Sequence, residues 1–158
     1  MVRLLFLALA LLLAGCDSQP QFGNSDISAA GYATDFALTD HTGKPRTMAD
    51  FRGKAVVIFF GYTQCPDVCP TTLTGMAEAM KLLGEDASKV QVLFVTVDPE
   101  RDTPQLLAQY VPVFNPGFLG LYADAQTIAR TAQDFRVFYK KQPGSTPTTY
   151  TVDHTAGS

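Results

Sequence analysis

Two continuous apolar runs stand out from the mixed polar and apolar pattern of the chain. Residues 55–60 and 92–97 are rich in β-branched and aromatic side chains, which is typical of strands buried on both faces. The first run is predicted to be the central strand of a sheet. Shorter runs at 36–38, 118–122 and 150–152 predict further strands.

Apolar residues recur at helical spacing in three further segments. The first segment ends at Gly84, and the second begins at Thr103, an N-cap followed by Pro104, and is expected to close at Pro112. The third begins at Asp124. Strands that alternate with helices imply parallel pairing through right-handed crossovers, so the predicted class is α/β with three layers.

The first 15 residues are predicted to be a lipoprotein signal peptide. Arg3 precedes ten apolar residues, about half of the ~20 that a membrane-spanning helix needs. Residues 13–16, LAGC, resemble the bacterial lipobox, in which the signal is cut before a lipidated cysteine. Cys16 is therefore expected to head the mature chain and to anchor it to a membrane. Asp17 resembles a retention signal, which places the protein in a bacterial envelope, on the inner membrane facing the periplasm.

The rest of the chain is predicted to form a tether and one domain. Residues 16–33 are small and polar, which favours a flexible tether. Residues 34–158 have the length of a single domain with one core. The chain carries 12 Lys and Arg against 15 Asp and Glu, with no basic block, and this charge argues against nucleic acid as a partner.

Cys65 and Cys69 remain once Cys16 is assigned to the lipid. Their loop leaves the carboxyl end of the predicted central strand and enters a helix, which is where open parallel sheets place their sites. The positive end of the helix dipole favours thiolate, the form that binds metals and attacks disulfides. A disulfide that only closed this loop would form too small a ring to add much stability.

Three segments resemble the Sco/SenC family of copper chaperones. They are 61–70, GYTQCPDVCP; 97–104, VDPERDTP; and 150–156, YTVDHTA. The segments occur in the family's order, and the likeness runs from about Phe36 to the last residue. The resemblance implies a thioredoxin-like fold in which Cys65, Cys69 and His154 bind copper, as Cu(I), Cu(II) or both. It also implies delivery of copper from a donor protein to the copper-bearing subunit of cytochrome c oxidase during assembly.

The chemistry of these residues fits that implication. Thiolates are soft ligands that select Cu(I), and an added imidazole allows Cu(II) to bind as well. Asp98 follows the second buried strand and is predicted to lie behind the ligands, where it tunes the metal or docks a partner. His41 is read as a solvated turn residue, and Met76 and Met80 as part of the apolar face of a helix.

A thiol-disulfide oxidoreductase that keeps client cysteines reduced remains the alternative function. The C-x3-C spacing departs from the C-x-x-C of thioredoxin-like reductases, and His154 would be idle in such an enzyme. A peroxide-reducing thiol enzyme is the least favoured class. The family's domain continues after its histidine with a further strand and helix, so this domain is expected to lack them and to be incomplete at its C-terminus.

The lipid assignment predicts that Cys16→Ser blocks processing of the signal or releases the protein from the membrane fraction. Membrane fractionation and the mass of the mature chain measure this result. Unchanged attachment together with unchanged cleavage would contradict the assignment.

Overall fold

A computed structural model describes residues 26, 28–146 and 149–155. The chain divides into a unit Met1–Gly31 and a compact unit Tyr32–Ser158, and the second unit contains every described strand and helix. The predicted signal peptide, Cys16 and most of the predicted tether lie outside the described residues. Within the described part, every helix is too short or too polar to cross a membrane.

Seven strands and three α-helices make up the described domain. The strands are β1 (Leu38–Asp40), β2 (Pro45–Arg46), β3 (Ala55–Gly61), β4 (Val90–Thr96), β5 (Leu119–Tyr122), β6 (Tyr139–Gln142) and β7 (Thr151–His154). The helices are α1 (Val68–Leu83), α2 (Pro104–Phe114) and α3 (Ala125–Asp134), and short 3-10 helices occupy Met48–Phe51 and Gly84–Lys89. Thr103 caps α2 with its side chain, as predicted, and Asp124, where the third helix was predicted to begin, caps α3 in the same way.

The main sheet has the strand order β2-β1-β5-β4-β3. Strand β4 pairs in parallel with β3 and β5, whereas β1 is antiparallel to both β2 and β5. Phe94 of β4 contacts Tyr110 of α2 on one face of the sheet. Phe60 of β3 contacts Phe135, which follows α3, on the other face. Helices therefore cover both faces, and the predicted three-layer α/β class is confirmed.

Two predictions about these elements are wrong. Strand β3 lies at an edge of the sheet rather than at its centre, since among the described residues no strand pairs with its outer side, and Val56–Ile58 are only half-buried. Pro112 lies inside α2, which continues to Phe114. A proline in a helix loses its own N–H and its ring crowds the carbonyl of the residue four positions earlier. The complete burial of Leu107 and Val111 favours continuation of the helix in spite of this cost.

The strand predicted at 150–152 exists as β7, but it lies outside the main sheet. It pairs antiparallel with β6 in a separate two-stranded sheet, with Tyr139 opposite His154. Strand β6 reads Tyr-Lys-Lys-Gln and has two exposed lysines. Such a polar segment lacks the apolar pattern from which the other strands were predicted.

Asp40 holds the turn between β1 and β2. Its fully buried carboxylate accepts hydrogen bonds from the N–H and hydroxyl of Thr42, from the N–H of Lys44, and from Nε of Arg46 at 2.8 Å. Burial alone would raise the pKa of Asp40, but these donors favour the ionised carboxylate and lower its pKa to about 2.

This depressed pKa predicts an acid-labile contribution to stability. The contribution is present above the unfolded value of 3.8 and is lost as the pH falls through about 2. Between pH 5 and pH 3 the loss amounts to about 1 kcal/mol of unfolding free energy. Asp40→Asn cannot titrate at this position, so its unfolding free energy lacks this part of the pH dependence. The difference in unfolding free energy between parent and variant, measured by urea titration, should therefore be about 1 kcal/mol smaller at pH 3 than at pH 5. An equal difference at both pH values would contradict the lowered pKa of Asp40.

Candidate metal centre

The sulfur of Cys65 occupies the N-terminal end of helix α1. Asp67 is the N-cap residue, yet its side chain makes no capping hydrogen bond. The backbone N–H of Cys69 instead donates to Cys65 Sγ at 3.4 Å. A sulfur that accepts from the free N–H groups of a helix end is stabilised as thiolate.

The two thiols differ sharply in acidity. Partial burial would raise the pKa of Cys65, but the backbone N–H groups of Asp67, Cys69 and Val68 surround its sulfur and lower the pKa below its ordinary value. Cys69 is fully buried, and this burial raises its pKa to about 12. The predicted activation by the helix end is thus confirmed for Cys65 and wrong for Cys69, because burial at Cys69 outweighs the dipole. Both cysteines are free thiols in the structure.

Gly61 makes room for the buried sulfur. A Cβ at this position would lie 3.0 Å from Cys69 Sγ and 2.8 Å from a ring carbon of Phe94. The last residue of β3 must therefore be glycine for the sulfur and the ring to keep their places.

His154 approaches the sulfurs from strand β7. Its Nε2 lies 3.4 Å from Cys69 Sγ, and its Nδ1 lies 3.0 Å from the carbonyl oxygen of Thr155. A carbonyl can only accept, so Nδ1 carries the hydrogen, and the lone pair of Nε2 faces the sulfur. The imidazole meets the rings of Phe59 and Tyr62 edge-on at 6.1 and 6.0 Å between centroids.

One potential ligand atom from each of Cys65, Cys69 and His154 lies within 4.8 Å of the others. The structure thus brings together the three residues that the sequence singled out. Two sulfurs and one imidazole nitrogen at this separation form a donor set that suits a soft metal ion.

Asp102 fixes the loop that precedes Cys65. Its buried carboxylate accepts from the N–H of Thr63 at 3.1 Å and from the hydroxyls of Thr63 and Thr96 at 2.6 Å each. Burial raises the pKa of Asp102 above its ordinary value, while these donors oppose the increase. The end of β3 and the end of β4 are thereby joined directly beneath the cysteines.

Asp98 is not one of the three clustered residues. Its buried carboxylate accepts from the hydroxyl of Tyr150 at 2.6 Å and from Nε of Arg101 at 2.5 Å. Arg101 also donates to Gln64 Oε1 at 3.1 Å and to the Tyr150 carbonyl at 2.9 Å. The sequence prediction missed Arg101, Asp102 and Tyr150, although all three lie within the segments that resemble Sco/SenC proteins.

His41 and the two helix methionines stay outside the cluster. Met76 and Met80 pack against the core, as predicted. His41 is half-buried rather than solvated, and its Nδ1 accepts a hydrogen bond from the N–H of Gly120 at 3.0 Å. This contact joins the turn after β1 to strand β5.

Comparison with known families matches residues 24–158 to the SCO1/SenC family. The match covers the whole domain and the three clustered residues. This chain belongs to the SCO1/SenC family. The predicted resemblance is confirmed, and the three-layer fold is the thioredoxin-like fold of Sco proteins.

Sco relatives are similar in both sequence and structure. The mitochondrial SCO2 homolog of Bos taurus is 44% identical over 122 residues, which are 76% of this chain and 46% of the relative. The structure of Bradyrhizobium japonicum ScoI with copper bound is 47% identical, with a TM-score of 0.73 and 77% coverage of each chain. A SCO1/SenC family lipoprotein from Bacillus anthracis is 27% identical, with a TM-score of 0.67, and the match covers 79% of this chain and 75% of the lipoprotein. The chain spans about half the length of the curated relatives it matches.

The unequal thiols predict unequal alkylation. Iodoacetamide at neutral pH should modify Cys65 at least ~10-fold faster than Cys69. Cys65 is half-buried and has a lowered pKa, whereas Cys69 is fully buried and has a raised pKa. Peptide mapping at short reaction times measures both rates. In urea the rates should converge, and equal rates in the folded protein would contradict this description.

Proposed function

We propose that this chain is a copper-binding chaperone and that Cys65, Cys69 and His154 are its copper ligands. The observation that carries the proposal is the convergence of their ligand atoms within 4.8 Å at the carboxyl end of β3. Copper is bound in the similar structure of Bradyrhizobium japonicum ScoI, which supports this choice of metal.

The donor set favours copper over zinc. Structural zinc normally takes four nitrogen or sulfur ligands, whereas three residues form this cluster in the described part of the chain. Two thiolates suit Cu(I), and the imidazole adds affinity for Cu(II). Asp98 acts from behind these ligands rather than on the metal.

Copper is the cargo in this proposal, received from a donor protein and passed to the copper-bearing subunit of cytochrome c oxidase during assembly. The half-buried Cys65 gives a partner's ligand a place to reach the metal, since only Cys69 is fully enclosed. A lipid on Cys16 would hold the chain in a bacterial cell envelope, on the inner membrane facing the periplasm. The lipobox-like residues and the Bacillus anthracis lipoprotein of the same family support that location.

Thiol-disulfide exchange is the second candidate function. The asymmetry of the pair favours it, because a half-buried thiol with a lowered pKa at Cys65 lies beside a buried thiol at Cys69. Dithiol reductases attack disulfides with the more acidic thiol of such a pair and resolve the product with the other. Both functions use the same sulfurs. They differ in their need for His154, which cannot take part in a disulfide.

His154→Ala should therefore weaken copper binding and leave disulfide chemistry intact. Loss of a group that merely supports a ligand costs ~10–100-fold in metal affinity, so loss of the ligand should cost at least that much for Cu(II). Cu(I) should be affected less because two thiolates remain. Anaerobic competition with chelators of known affinity, applied to both copper states, measures the effect.

The chain has one other histidine, and it supplies the control. His41→Asn keeps a side-chain acceptor for the Gly120 N–H and should bind copper like the parent. In both variants the Cys65–Cys69 disulfide should still form and still react with a small dithiol. If His154→Ala binds both copper states as the parent does, His154 is no ligand and the oxidoreductase function becomes the better proposal.

A further inference from the structure

The strand that carries His154 does not belong to the main sheet. Among the described residues β6 and β7 form strand pairs only with each other. A two-stranded ribbon is marginally stable in water without further packing. The position of the imidazole therefore depends on side-chain contacts between this hairpin and the rest of the domain.

Tyr150, directly before β7, makes several of these contacts. Its hydroxyl donates to the buried carboxylate of Asp98 at 2.6 Å, and its carbonyl accepts from Arg101 at 2.9 Å. The guanidinium carbon of Arg101 lies 3.6 Å from the centre of the Tyr150 ring, a stacked cation–π geometry. Backbone, ring and hydroxyl of one residue are thus all held by the loop that follows β4.

Arg101 also contacts the loop that carries the cysteines. It donates to Gln64, the neighbour of Cys65, at 3.1 Å, and its guanidinium carbon lies 5.7 Å from the centre of the Tyr62 ring. Its own charge is balanced by Asp98 at 2.5 Å. One side chain therefore joins the cysteine loop, the loop after β4 and the histidine hairpin.

A surface ion pair adds a weaker contact between the β6–β7 hairpin and the loop that follows β4. Lys141 of β6 lies 2.6 Å from Glu100 and 4.8 Å from the centre of the Tyr150 ring. Both charged side chains are exposed, so this pair contributes little by itself. The partly buried contacts of Arg101 and Tyr150 are the ones that can fix the hairpin.

We propose that Tyr150, Arg101 and Asp98 form a latch that positions the His154 imidazole over the two sulfurs and thereby sets the affinity for Cu(II). None of the three touches the metal ligands in this role, so they are positioning residues. The consequence for copper rests on the proposed function, whereas the position of the imidazole can be tested without metal.

The latch should affect the two copper states unequally. Both sulfurs belong to the body of the domain, where Gly61 and the end of α1 hold them, and two thiolates are enough to retain Cu(I). Cu(II) depends more on the imidazole nitrogen. A loosened hairpin therefore weakens Cu(II) binding first.

Tyr150→Phe is the test, and Tyr139→Phe is its matched control. Both variants lose one hydroxyl from the same hairpin, but the Tyr139 hydroxyl makes no hydrogen bond to the described residues, whereas that of Tyr150 bonds to Asp98. In the purified full chain, Tyr150→Phe should weaken Cu(II) binding ~10-fold, the lower end of the range for groups that support a metal ligand, with a smaller change for Cu(I). Electron paramagnetic resonance should show reduced nitrogen coupling to Cu(II), and Tyr139→Phe should match the parent.

Arg101→Lys is the second variant, because it keeps the charge beside Asp98 but loses the planar fork and the stacking. Arg101→Lys should weaken Cu(II) binding at least as much as Tyr150→Phe does. In the metal-free protein, the nitrogen chemical shifts of His154 should report one tautomer in the parent and in Tyr139→Phe, and a mixture in both latch variants.

The two proposals fail in different ways. If the parent binds no copper, the proposed function is wrong, and the imidazole shifts still decide whether the latch exists. If the parent binds copper but Tyr150→Phe and Arg101→Lys match Tyr139→Phe in Cu(II) affinity and in imidazole shifts, the latch is overturned. A thermal melt of each variant confirms that the domains compared are folded.

Discussion

The parallel register of β3 and β4 determines where the cysteine loop and the loop after β4 lie. The two strands pair along their whole length, from Ala55 opposite Val90 to Gly61 opposite Thr96, so both end at the same level. The loop with Cys65 and the loop with Asp98 therefore leave the sheet side by side. A hydrogen bond from the Val97 N–H to the Gly61 carbonyl at 2.8 Å extends the pairing past the last strand residues.

The candidate copper site consists of a fixed half and a docked half. The sulfurs are fixed because Asp102 ties the ends of β3 and β4 together through threonine hydroxyls and because α1 begins at the cysteines. The histidine comes from a hairpin that, among the described residues, pairs with no strand of the main sheet. Under the proposed function, such a division would let one ligand leave while two retain the ion.

Sequence patterns predicted the parts of this structure that depend on burial. The apolar runs of β3 and β4, the helix faces and the caps at Thr103 and Asp124 were found because local residue types determine them. The hairpin partner β6 and the edge position of β3 were not, because strand pairing depends on distant segments. Arg101 and Tyr150 illustrate the same limit: their charge and ring have no distinctive spacing, and their contact joins residues 49 positions apart.

The acidity of the two thiols has a direct consequence for metal binding. A sulfur ligates as thiolate, so copper binding at the proposed site would be favoured by the lowered pKa of Cys65 and would require loss of the proton of Cys69, whose pKa is raised to about 12. His154 faces the sulfur of Cys69, because its Nε2 lies 3.4 Å from Cys69 Sγ while Nδ1 is directed to the carbonyl oxygen of Thr155. This contact holds Nε2 beside the Cys69 sulfur in the metal-free protein. Cys65, Cys69 and His154 would hold the ion through atoms that already lie within 4.8 Å of one another, and the proton of Cys69 would be released to solvent.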